Sequence, residues 1–316
     1  MAWPWLLSLV LAALPPGEAA RAASRHAAAP IPEKPPQSAQ KQKSSKERGV
    51  NPCNTKDPGF GAYGPWERGI GRGQMIVPRR FRGGAFDVVV HFHGHEAARK
   101  EFVQVMNGPI LVGIDLGLGS GPYETAFRPH GTLRALLESV ERALEARHGK
   151  PTRVRHVALS AWSAGYGAVQ NILRDPWAME HVDSVVLLDG LHAGYSGRSL
   201  NEAQLEPFIE FSARAARGRR LMVVTHSSII PPGYASTTET ANFLVLKLGA
   251  RPRKAKPRAS DPMGLELISR FSRGGFHVRG FAGNDTLDHC AHLGLYRDVL
   301  STHLGPRWKV PRVARR

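Results

Sequence analysis

One pattern constrains this chain more than any other: short apolar, β-branched runs alternate with segments of helical periodicity. The runs fall at residues 74–77, 87–92, 110–114, 154–159, 184–188, 221–225 and 276–281. Val88-Val89-Val90 and Val185-Val186-Leu187-Leu188 are apolar without alternation, which is how strands buried on both faces read. The clearest helix is predicted at 132–147, where Leu133, Leu136, Leu137, Val140 and Leu144 share one face and Gly149 follows the end. Further helices are predicted at 97–106, 167–173, 202–217, 238–248 and 293–303. Strands separated by helices imply an α/β fold: a mostly parallel central sheet flanked by helices. The pattern fills residues 53–305, read as one domain.

The flanks read differently. Residues 1–23 resemble a signal peptide, with an apolar run at 6–14 followed by Pro15, Pro16, Gly17 and small residues, although 1–5 carry no Lys or Arg. The run is too short to cross a bilayer. Residues 24–52 form a spacer rich in Pro, Lys and Ser, and 306–316 a basic tail. Export, to a periplasm or the medium, is the expectation. Two cysteines exclude a disulfide-dense scaffold and a four-cysteine metal site. In an oxidising compartment Cys53 and Cys290 are candidates to pair.

A net charge of +17 invites a polyanionic partner. Much of the excess sits in the spacer, in the tail and in Arg251, Arg253, Lys254, Lys256 and Arg258. No stretch interleaves basic and aromatic residues as a single-strand platform does. Nucleic acid is therefore not expected, and a loose contact with an anionic surface is the most the charge implies.

The chemistry concentrates at residues 157–169, VALSAWSAGYGAV. An apolar strand runs into Ala161-Trp162-Ser163-Ala164-Gly165 and then into a helix. A sharp strand-to-helix turn that presents a nucleophile needs small residues two before and two after it. Ala161 and Gly165 meet this requirement around Ser163, with Ala in place of the usual first Gly. Upstream, the run 87–92 leads into His93-Gly94-His95, where Gly94 permits close backbone approach.

These residues resemble the α/β-hydrolase superfamily, and the resemblance spans the folded region in element order. It implies a serine hydrolase acting by acyl transfer on an ester or amide, from a small molecule or the cell envelope. It places the oxyanion donors at the Ala164 amide and at Gly94 or His95. The acid is expected after the next strand, at Asp189; the position one strand later, at His226, offers no Asp. The base is expected after the last strand, at His289 in a loop, with His292 as the alternative. Trp162, Tyr166 and His192, with Tyr123 and Tyr195, are candidate substrate contacts.

Two other readings compete. His91, His93 and His95 alternate along a strand, and with His226, Asp189, His289 and His292 they could build a metal-dependent hydrolase. A non-catalytic envelope-binding protein could also keep the fold as a scaffold. No cofactor is expected, because the Gly-rich 116–121 lacks phosphate-loop spacing.

Overall fold

The computed structural model describes residues 51–256, 262–283 and 285–311. The expected leader, nearly all of the spacer, Arg258 and the last five residues lie outside these ranges.

Nine strands form one sheet: β1 (Gln74–Ile76), β2 (Gly84–Phe92), β3 (Ile110–Ile114), β4 (Thr152–Trp162), β5 (Val182–Leu188), β8 (Leu221–Ser227), β9 (Arg253–Lys254), β10 (Leu267–Arg273) and β11 (Phe276–Phe281). Between β5 and β8, β6 (Tyr195–Ser196) and β7 (Ser199–Leu200) make a separate two-stranded ribbon. The order across the large sheet is β1-β3-β2-β4-β5-β8-β11-β10-β9. Its six central strands are parallel, and antiparallel β1, β10 and β9 close the two edges.

The unbroken apolar runs are explained by burial on both sides. Val88 and Val90 pack into one hydrophobic cluster with Val140 of α3 (Thr132–His148), Val169 of α4 (Tyr166–Leu173), Phe208 of α6 (Glu202–Ala216) and Leu244 of α7 (Thr237–Lys247). Val89, between them, packs into the opposite cluster. There it joins Phe102 of α1 (His95–Val105) and Tyr296 and Val299 of α8 (Thr286–Val299). Alternate side chains of each central strand thus face different helical layers.

The expected strands all form. The sequence pattern missed β9 and β10, the β6–β7 ribbon and the short helices Gly121–Phe127 and Pro176–His181. Several boundaries shift, two of them with consequences. The last helix begins at Thr286 rather than 293, because the Asp285 side chain caps it, accepting from Leu287 N at 2.9 Å and Asp288 N at 3.1 Å. The packed region also runs past 305. The Arg307 guanidinium forks onto Asp183 at 2.8 and 2.7 Å, and the Trp308 indole N–H donates to the same carboxylate at 2.8 Å. Charge pairing therefore draws the first residues of the expected solvated tail onto the domain.

Cys53 and Cys290 form a disulfide across 237 residues, tying the start of the described chain to the first turns of α8. Among the described residues no helix is long and apolar enough to cross a membrane.

Candidate active site

Three neighbouring parallel strands end in non-glycine residues with left-handed backbone: His93 after β2 (φ 68°), Ser163 after β4 (φ 47°) and Asp189 after β5 (φ 44°). Such conformations are costly and persist where the surroundings enforce them. At Ser163 the enforcement is visible. The 3₁₀ turn Ser163–Gly165 leads straight into α4, and a side chain at Gly165 would collide with the Phe92 carbonyl. Gly190 lies equally close to the Ser163 backbone, where a Cβ would clash with the Ser163 carbonyl oxygen and amide. This explains both the small residue after the serine and the Asp189-Gly190 dipeptide.

Asp189 is 2% exposed. One carboxylate oxygen accepts from Ser227 N at 2.7 Å and from the Thr237 hydroxyl at 2.6 Å; the other accepts from His289 Nδ1 at 2.7 Å. Burial alone would raise its pKa. The imidazoles of His292 and His289 and the hydrogen bonds from His289 and Thr237 outweigh burial and hold it well below the usual carboxylate range. An ionised Asp189 fixes the Nδ1–H tautomer of His289 and leaves Nε2 as its basic atom. Ser163, Asp189 and His289 line one cavity of about 290 Å³ with His192, Ser227, Ile229, Pro231, Tyr234, Thr237, Asp285 and Thr286.

His289 sits in the first turn of α8 and not in a loop. Its ring stacks on Trp162 with centroids 4.8 Å apart, and the Trp162 indole N–H donates to its carbonyl at 3.1 Å. The structure therefore makes Trp162 a support for His289; it does not line the cavity. Tyr166 also lies outside the lining, its ring edge-on to His192, which does line the cavity. Tyr123 is buried against His93, and the Tyr195 hydroxyl is held by Glu239.

The alternative base His292 is fully buried. Its Nδ1 pairs with the Thr225 hydroxyl at 2.8 Å, and burial lowers its pKa to about 4. It does not line the cavity.

The oxyanion donors divide. Ala164 is the second residue of the turn that leads into α4, where helical N–H groups have no acceptor within the helix. The loop donors are engaged elsewhere. Gly94 N donates to Asp115 Oδ1 at 2.7 Å, His95 N faces Asp115 Oδ2 at 3.4 Å, and His93 N donates to Ile114 O at 3.0 Å. Asp115 follows β3, beside β2, so its carboxylate captures the amides that the sequence reading assigned to Gly94 and His95.

The histidine trio does not converge. His91 is buried between the Ser160 hydroxyl (2.8 Å) and His93 O (3.0 Å), and burial lowers its pKa to about 3. The left-handed turn at His93 breaks the strand alternation, so His93 pairs with Tyr123 (2.9 Å) and His95 with Asp115. His226 pairs with Thr238 at 2.8 Å. Among the described residues no group of three His, Cys, Asp or Glu is placed to hold a metal ion.

A parallel sheet with a strained serine turn after β4, an acid after β5 and a histidine after β11 is the arrangement the sequence resembles. The architecture is α/β, a mostly parallel central sheet flanked by helices. No family profile matches the chain, and no curated protein does. Among solved structures, an acylaminoacyl peptidase from Pyrococcus horikoshii is similar at 11% identity and a TM-score of 0.40, over 76% of this chain and 41% of that one. The esterase domain of a Rhodothermus marinus protein is similar at 15% identity and a TM-score of 0.34, over 74% of this chain and 91% of that one. The chain spans about two fifths of the length of the peptidase chain it matches.

Residues the sequence reading missed are Ser227, Thr237 and Tyr234. Ser227 and Thr237 hold Asp189 from β8 and α7, and Tyr234 walls the cavity. The run of Ser and Thr around 227–228 and 236–238 was the available signal.

Proposed function

We propose that this protein is an exported serine hydrolase that cleaves an ester or amide bond by acyl transfer. The observation that carries the reading is the Asp189–His289 hydrogen bond at 2.7 Å, in one cavity with a serine held in a left-handed turn. Ser163 Oγ attacks the carbonyl carbon as its proton passes to His289 Nε2. The leaving alcohol or amine takes that proton, and an acyl-enzyme remains. Water then adds through the same base and releases the acid. Ionised Asp189 orients the imidazole and stabilises its protonated form. The Ala164 amide, at the positive end of α4, supports the oxyanion.

The cavity of about 290 Å³ favours small acyl groups. Hydrolysis of p-nitrophenyl butyrate is expected to exceed that of the palmitate. The deciding experiment is fluorophosphonate labelling of the intact chain. One label per molecule is expected in the wild type and none in Ser163→Ala; label retained in the variant would overturn the reading.

A further inference from the structure

Three arginines stand in a row across one edge of the sheet. Arg253 of β9 lies directly opposite Arg270 of β10, and Arg270 lies directly opposite Arg279 of β11. Directly opposite residues of neighbouring strands project from the same face about 5 Å apart, and like charges so placed destabilise a sheet. Only Arg279 is compensated: it pairs with Asp298 and contacts His303 Nε2 at 2.9 Å. Arg253 and Arg270 are exposed and form no ion pair with a carboxylate among the described residues. Both line a groove of about 630 Å³ with Arg251, Ser272, Arg273 and Phe271. No residue of this groove lines the catalytic cavity.

Two facing arginines without a carboxylate partner, Arg253 and Arg270, in a concave groove are the complement of a chain that carries tetrahedral oxyanions. The guanidinium fork matches such groups two N–H donors at a time. We propose that this groove binds a phosphate-bearing glycan and holds the enzyme to it independently of catalysis. The occupant is a chain because the site is concave, whereas a bilayer presents a flat surface. It is not single-stranded nucleic acid, because the one aromatic ring present, Phe271, is overlain by Arg273 at 5.7 Å and offers no open stacking face. The Cys53–Cys290 disulfide also suits an oxidising compartment.

The test compares the full chain with the double variant Arg253→Gln, Arg270→Gln. The probes are phosphomannan, uncharged mannan, a dT20 oligonucleotide and phosphatidylglycerol vesicles. Phosphomannan is expected to bind at about 50 mM salt, and the variant to bind it at least about tenfold more weakly. The slope of log Kd against log salt is expected to shrink by roughly one per arginine removed. Hydrolysis of p-nitrophenyl butyrate should stay within about twofold, and the Tm should hold or rise as like charges separate. Equal phosphomannan binding by the variant, or binding only to dT20 or to vesicles, would overturn the proposal. So would a fall in Tm, which would make the row structural.

Discussion

At the scale of single residues, the site rests on how many groups hold Asp189. Its carboxylate accepts from a backbone amide, a hydroxyl and an imidazole, all while 2% exposed. Asp189→Asn presents an amide in place of an oxygen acceptor and so loses the tautomer that leaves Nε2 basic. On p-nitrophenyl butyrate, kcat is expected to fall by about 10³–10⁴ with little change in KM. An unchanged kcat would remove Asp189 from the mechanism. Thr237→Val keeps the side-chain shape and deletes one hydrogen bond to a charged group, worth about 1.5–3 kcal/mol. It should lower kcat roughly tenfold or more, with fluorophosphonate stoichiometry retained, because the serine remains and only the acid is less firmly held.

At the scale of elements, α8 carries His289, the proposed base, and the disulfide ties α8 to Cys53. Cys290 is adjacent to His289 in sequence, and its partner lies 237 residues away. On the chain-entropy view a closure that long contributes at most about 5 kcal/mol. Cys53→Ser should therefore lower the Tm by several degrees and should also lower kcat, since the first turn of α8 carries His289. A variant with unchanged Tm and rate would show that the Asp285 cap and the Trp162 stack suffice. The same elements show what the sequence disclosed. The central strands were legible because burial on both faces leaves unbroken runs such as Val88-Val89-Val90. The Ser163 turn was legible because sterics demand small neighbours. The start of α8 is not, since its cap is one Asp in a polar stretch, and the local pattern alone puts His289 in a loop. Nor is β10, next to the edge, whose side chains are half-buried or exposed and leave little apolar signal. The fate of the Gly94 and His95 amides depends on Asp115, a residue from another strand that local pattern does not connect to them.

At the scale of the whole molecule, buried histidines set the acid limit of the fold. His91, His226 and His292 are each at most 1% exposed. Burial is the leading cause that lowers them, to about 3, about 4 and about 4 respectively. A free imidazole titrates at about 6.5. A base with a depressed folded-state pKa binds its proton in the unfolded chain first, so the unfolded state gains as pH falls from about 6.5 toward 4. Stability is therefore full above about pH 6.5 and declines below it, at about 1.4 kcal/mol for each unit by which a group's two pKa values differ. Asp189 adds a loss of the same sign further into acid, because its depressed pKa favours the folded state only while it is ionised. The urea midpoint is expected to be nearly constant from pH 7 to 8 and to drop steeply between pH 6 and 4. His226→Gln, which keeps a polar side chain without the titration, should flatten that drop. A midpoint independent of pH over this range would mean that these rings take up protons in the folded state as easily as in the unfolded one, against their burial.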